Sequence, residues 1–153
     1  MISIGVISDT HGLIRPAALD ALRGSELVVH AGDVGGPEVL VALRNLAPVY
    51  AVRGNNDRGA WARALPESRA VDVGSARILV IHDLKTLAVD PARRGCRVVD
   101  SGHSHRPSAG ERGGVLYLNP GSAGPRRFRL PVSIARLWID SDGVRHELIT
   151  LQA

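Results

Sequence analysis

A chain of 153 residues with 44% apolar and 22% charged side chains has enough hydrophobic material to fold as one domain over residues 1–153, which excludes a disordered tract. Aromatic residues make up only 3%, so Val, Leu, Ile and Ala must fill the core, and no apolar run approaches the roughly 20 residues that cross a bilayer. The net charge of +4 rests on dispersed arginines, Lys85 being the single lysine, so a nucleic-acid surface is weakly signalled while an anionic small substrate is well served.

Taken in chain order, residues 2–7 read as a buried strand with no basic signal-peptide start ahead of it, and a cytoplasmic location is expected. Residues 15–23 read as a helix with Pro16 in its first turn. Residues 26–31 give a second strand. Residues 37–46 give a second helix with Val39, Leu40, Leu43 and Leu46 on one face, and residues 48–52 a third strand. Two successive β-α-β units argue for a parallel sheet with covered faces. Later, residues 69–73 and 77–81 flank Gly74-Ser75-Ala76 as a hairpin, and residues 97–101 and 115–119 are short strands. Residues 132–139 and 144–151 flank the turn Asp140-Ser141-Asp142-Gly143. The whole predicts an α/β fold of two mixed sheets packed together with helices outside. The single cysteine, Cys96, excludes an internal disulfide, fits a reducing compartment and reads as a small buried apolar residue.

The positions of the polar residues carry the functional signal. Five apolar strand candidates are each followed by metal-competent side chains: Ser8-Asp9-Thr10-His11-Gly12, Gly32-Asp33, Gly54-Asn55-Asn56-Asp57, His82-Asp83 and Gly102-His103-Ser104-His105. In open α/β sheets, ligands bind beyond the carboxyl ends of strands, where such loops converge. Each piece alone has a bland reading as a cap, a turn or a surface histidine. Their common location does not. Oxygen and nitrogen donors without thiolates suit Mn, Fe, Zn, Co or Ni better than Ca or Mg alone, and seven donors exceed one tetrahedral ion. The metal set is thus Asp9, His11, Asp33, Asn55, His82, His103 and His105, around two divalent ions.

That ordered set, with SDTHG (8–12), AGD (31–33), RGNND (53–57), SGHSH (101–105) and LNPGS (118–122), resembles the calcineurin-like metallophosphoesterases, in particular the small bacterial and archaeal phosphodiesterase branch. It also resembles the related retromer subunit, a binding protein. The resemblance implies a four-layer αββα sandwich, with Asp9, His11, Asp33 and His105 on a first ion. Asp33 bridges to a second, held with Asn55, His82 and His103. Manganese is the first expectation, with Fe, Zn, Ni, Co or Mg able to serve. The implied activity is a phosphodiesterase in which a metal-activated hydroxide attacks phosphorus, with Asn55 and Asp33 as the catalytic side chains. Self-association is common among small relatives.

The chain departs from the pattern at Asn56, where many relatives carry a histidine able to protonate a leaving group. An amide has no useful pKa for that, so diesters and activated esters are expected to turn over better than alkyl monoesters. Asp83 stands where many relatives have glycine; it is either a partner of a ligand imidazole or a solvated acid. Asp57 either orients a ligand or closes a turn. Asn55 and Arg58 are the substrate-contact candidates, because their loop faces the site. Arg126 and Arg127 read as solvated surface or a phosphate contact, and Asn119-Pro120-Gly121-Ser122 as a turn or a loop packed beside the metals. His30 and His146 are read as structural.

Three rivals remain at this stage. A non-catalytic protein-binding scaffold on the same fold need not keep its ligand positions filled, yet all are filled here. A nucleotide-binding domain is suggested only by Gly32-Asp33-Val34-Gly35-Gly36, which lacks a phosphate-loop ending. A nuclease would share the chemistry, but no aromatic stacking platform is present. The expected substrate is a phosphorylated small molecule or nucleotide.

Overall fold

The computed structural model describes residues 1–127 and 129–152, so Phe128 and Ala153 of the expected domain lie outside the described residues. The chain runs β1 (Ile2–Ile7), α1 (Pro16–Leu22), β2 (Leu27–His30), α2 (Pro37–Arg44), β3 (Val49–Ala51), α3 (Ala60–Arg63), β4 (Ser68–Val73), β5 (Ala76–Ile81), β6 (Cys96–Asp100), β7 (Ser108–Arg112), β8 (Val115–Asn119), β9 (Ser133–Asp140) and β10 (Gly143–Thr150). The predicted helices and strands all appear. The additions are α3, a 3-10 turn at Leu84–Thr86, and β7.

Two five-stranded mixed sheets form, in the orders β10-β9-β1-β2-β3 and β4-β5-β6-β8-β7. In the first, β1, β2 and β3 are parallel and β9-β10 is an antiparallel hairpin. In the second, β5, β6 and β8 are parallel, flanked by β4 and β7 running antiparallel. The sheets pack face to face. Ile4, Val6 and Val29 of the first meet Ile78, Val80, Val98 and Leu118 of the second in one buried cluster. At roughly 25 cal/mol per Å² of apolar surface removed from water, this β-branched interior is the main stabilising term.

The outer faces are covered unequally. On the first sheet, Leu22 of α1 and Val39, Leu40 and Leu43 of α2 bury against Ile7, Val28 and Ile134. Proline in the first turn of each helix costs nothing, because its missing N–H would find no intrahelical partner there. On the second sheet, Leu79, Ile81, Cys96, Val99 and Val115 are covered by Leu87, Val89 and Tyr117. Leu87 and Val89 belong to the irregular segment after the 3-10 turn rather than to a long helix, and Tyr117 comes from β8 of the sheet itself. Cys96 is buried as expected. No helix among the described residues is long and apolar enough to cross a membrane.

Parallel pairing has one consequence for function. The carboxyl ends of β1, β2 and β3 all face one edge of the first sheet, and those of β5, β6 and β8 one edge of the second. The loops after these strands meet.

Candidate metal centre

Asp9 ends β1 with its carboxylate held from two sides: Oδ2 accepts from Ser8 Oγ at 2.7 Å and from the His103 backbone N–H at 3.0 Å. Its other oxygen, Oδ1, is buried and has no hydrogen-bond partner among the described residues. Around Oδ1 stand Nε2 of His105 at 3.4 Å and Nε2 of His11 and His82, each at 3.9 Å. Asp33 Oδ2 lies 3.4 Å from His82 Nε2 and 3.7 Å from His11 Nε2.

The tautomers follow from the surroundings. His82 Nδ1–H donates to the Ala31 carbonyl at 2.8 Å, which leaves the lone pair on Nε2. That nitrogen faces Asn55 Oδ1 at 3.0 Å and His103 Nδ1 at 3.3 Å. Nε2 of His11 and Nε2 of His105 face each other at 3.4 Å. Neutral His82 thus turns an acceptor on the Asn55 carbonyl oxygen, a pair that repels unless a cation lies nearby, so this donor set fits a metal site. Two groups are compact enough for one ion each: Asp9, His11 and His105, and Asp9, Asp33 and His82. Asp9 is common to both, and Asp33 Oδ2 lies near one histidine of each, His11 and His82.

Backbone strain concentrates here as well. Among the described residues, the non-glycine positions with positive φ are Asp9, His11, Asp33, His103 and His105, all members of the set expected from sequence. The left-handed region costs such residues about 1 kcal/mol or more each, and functional sites are where that cost persists. Glycine is required where loops touch. A Cβ on Gly54 would overlap the backbone and carboxylate of Asp33, and one on Gly102 would overlap Ser8 and Asp9.

Electrostatics follow the geometry. Burial alone would raise the Asp33 carboxyl, but His82 and the Asn56 N–H outweigh it and hold Asp33 well below the usual carboxylate range. Asp9 is lowered in the same way, burial being overcome by His105, His82 and Ser8. Burial works against charge on His82, yet Asp33 and Asp9 raise it; His11 is lowered, mainly by burial.

Three residues do work that the sequence did not reveal. Asp57 accepts from the backbone N–H groups of Val34, Gly35 and Gly54 at 3.1, 2.9 and 2.9 Å, tying the second and third loops together. Asn56 donates from Nδ2 to Asp33 Oδ2 at 3.0 Å and from its backbone to Oδ1 at 2.9 Å, so it orients Asp33. His30 sits between loops: its Nε2–H donates to Thr10 Oγ1 at 3.0 Å, and its Nδ1 accepts from Gly32 N–H at 3.1 Å. Burial pushes His30 down to about 4 and keeps it neutral. The only hint in the sequence was adjacency to the motifs.

The 119–122 loop packs beside the site. Asn119 Nδ2 donates to the Gly102 carbonyl at 2.9 Å and Ser104 Oγ at 3.1 Å, and Ser122 Oγ donates to the Asp9 carbonyl at 3.0 Å. Two clefts, of about 510 and 360 Å³, open beside His103 and beside His82 and Asn55. Arg58 is exposed and lines neither; the cations in these clefts are Lys85 and Arg112 in the larger and Arg53 in the smaller. Arg126 and Arg127 are exposed, with Arg127 close enough to depress His11. His146 is exposed on β10, away from the donor set.

Comparison with known proteins agrees with this geometry. The family model for the calcineurin-like phosphoesterase superfamily domain matches residues 2–142. A probable metallophosphoesterase of Methanothermobacter thermautotrophicus is 39% identical over 95% of this chain and 91% of its own length. Among solved structures, the E. coli phosphoesterase Yfce superposes with a TM-score of 0.72 at 27% identity, covering 97% of this chain and 93% of that one. Vps29 of Entamoeba histolytica, solved with Zn²⁺, gives 0.74 at 26%, covering 97% and 99%. Two mixed sheets, a divalent-metal donor set at their joined edges and a match over nearly the whole length lead to one conclusion: this chain belongs to the calcineurin-like phosphoesterase superfamily.

Proposed function

We propose that the chain is a dinuclear phosphodiesterase, with manganese the foremost metal. The observation that carries this reading is Asp9 Oδ1, a buried carboxylate oxygen with no partner among the described residues and imidazole nitrogens at 3.4 to 3.9 Å. Asp9, His11, Asp33 and His105 would hold one ion, and Asp33, Asn55, His82 and His103 the other. Bound divalent cations supply Lewis acidity there, polarising the phosphoryl group and making water more acidic.

The protein's own part is preorganisation. Asp9 and Asp33 keep their charge at any pH near neutral because their hydrogen-bond partners outweigh burial. In its neutral form His82 is held by Ala31 as the Nδ1–H tautomer, which turns the Nε2 lone pair inward. Asn55, beside His82 on the open side, presents an amide able to donate to a phosphoryl oxygen. Asn56 is engaged with Asp33 and has no proton to give a leaving group. The departing oxygen must therefore be a good leaving group or take its proton from water, which favours aryl and other activated diesters over alkyl monoesters.

The competing reading is a non-catalytic binding scaffold, and the likeness to Vps29 fits it. Chelated protein refilled with manganese and assayed on bis-p-nitrophenyl phosphate separates the two. Metal-dependent turnover, faster on that diester than on a simple sugar phosphate, is expected. Fully metallated protein that hydrolyses neither ester would point to the scaffold.

A further inference from the structure

The two clefts beside the metal centre share one residue. Asp83, directly after His82, lines both the larger cleft with His103, Lys85, Arg112 and Tyr117 and the smaller one with Asn55, His82 and Arg53. Its Oδ1 accepts from the Lys85 backbone N–H at 3.0 Å, which starts the 3-10 turn and pins the carboxylate in place. Its Oδ2 lies 3.8 Å from His103 Nε2, and 29% of the side chain is exposed. An anchored carboxylate thus stands where the two clefts adjoin, directly after His82 and beside His103. Charged residues lining the clefts around it are Lys85, Arg112, Arg53, Asp57 and Glu67, with Glu67 ion-paired to Arg53 at 3.0 Å.

We propose that Asp83 is the specificity-determining residue of this site, selecting a phosphodiester monoanion with one arm in each cleft over a dianionic monoester. The proposal rests on the functional reading above. Repulsion from one carboxylate scales with the charge of the bound phosphate, so a dianion is penalised about twice as strongly as a monoanion. Across a partly solvated gap, the extra unit of charge is worth about tenfold in binding. The clefts add a steric preference in the same direction. A monoester fills one and leaves the other to solvent, whereas a diester occupies both. The larger, bearing Lys85 and the Arg112 guanidinium 4.1 Å above the Tyr117 ring, suits the more polar or anionic arm.

Asp83→Asn is the direct test, because the amide oxygen still accepts from Lys85 while the charge is lost. On the manganese-loaded protein, the ratio of kcat/KM for bis-p-nitrophenyl phosphate over p-nitrophenyl phosphate should fall about tenfold, because the dianionic monoester gains about tenfold more than the monoanionic diester. Calorimetry at pH 8 gives a second readout: inorganic phosphate, mainly a dianion there, should bind about a hundredfold tighter, while dimethyl phosphate, a monoanion, gains only about tenfold. Asp83→Glu keeps the charge and should retain the wild-type ratio. An unchanged ratio in Asp83→Asn, an equal gain for both anions, or the same shift in Asp83→Glu would overturn the assignment. Wild-type protein that turns over neither ester defeats the phosphodiesterase reading instead, and the calorimetric comparison then still decides whether Asp83 discriminates by charge.

Discussion

The two sheets bring different chemistry to the shared edge. Of the proposed donors, loops of the first carry Asp9, Asp33 and Asn55 together with His11, and loops of the second carry the imidazoles of His82, His103 and His105. Their buried carboxylates differ in the same sense. Asp33 and Asp57 are supplied with N–H donors from neighbouring loops, and Asp9 has one oxygen doubly bonded and the other aimed at the site. Asp100, at the end of β6 in the second sheet, is fully buried with neither oxygen partnered among the described residues. The first sheet is therefore the carboxylate-bearing, hydrogen-bonded frame of the centre, and the second closes it with imidazole rings. That asymmetry has measurable consequences.

The largest lies at Asp33, whose Oδ2 reaches histidines of both ion-sized groups. Losing one preorganised electrostatic contact in an active site costs about 10² to 10³ in rate, and Asp33 serves two positions. Asp33→Asn should lower kcat/KM by about 10⁴ and leave the metallated protein short of bound manganese by elemental analysis. His105→Ala, which removes one imidazole from one of the two groups, should cost about 10². Equal losses in the two variants would break the division of labour between the sheets.

Sequence alone carried much of this, for physical reasons that differ by region. The β1 to β3 units were legible because buried parallel strands read as unbroken Val, Ile and Leu runs between helices with apolar faces. The candidate donors were legible because Asp, His and Asn recur just past five such runs, where the loops of parallel strands converge. β7 was not, since all five residues of Ser108–Arg112 are exposed and its pairing with β8 comes only from tertiary context. The roles of Asp57, Asn56 and His30 were hidden because their partners are in loops about twenty residues away. Arg58 was chosen for its loop, yet a loop that faces the site does not bring every side chain into a cleft.

The second effect concerns pH. Burial without partners raises Asp100 from 3.8 to about 8, so the folded chain keeps a proton that the unfolded chain releases near pH 4. Its contribution is therefore fully present below pH 4 and is lost as pH rises toward 8, by about 6 kcal/mol in all. His30 has the opposite sign. Held at about 4 instead of 6.5, it stays neutral while the unfolded chain takes up a proton, so stability falls as pH drops from 6.5 to 4, by about 3 kcal/mol. Between pH 4 and 6.5 the two slopes cancel. Asp100→Asn removes one of them. Urea denaturation of the chelated protein should show the variant gaining on wild type by about 1.4 kcal/mol per pH unit from 4 to 8. A pH-independent difference would mean that Asp100 is not buried as an acid, and the contrast between the two sheets would lose its clearest member.

The smallest effect isolates a single hydrogen bond within the frame. Asn56→Ala leaves the backbone N–H on Asp33 Oδ1 and deletes only the amide on Oδ2. Groups that orient metal ligands cost about 10- to 100-fold when removed, and the surviving N–H puts this one at the low end. A tenfold fall in kcat/KM on the aryl diester is expected, with the leaving-group dependence unchanged across a series of substituted phenols. A steeper dependence on phenol pKa in Asn56→Ala would show that Asn56 assists the leaving oxygen after all. The unchanged slope instead assigns Asn56 to the frame that the first sheet builds around Asp33, with the proton for the departing oxygen coming from outside the protein.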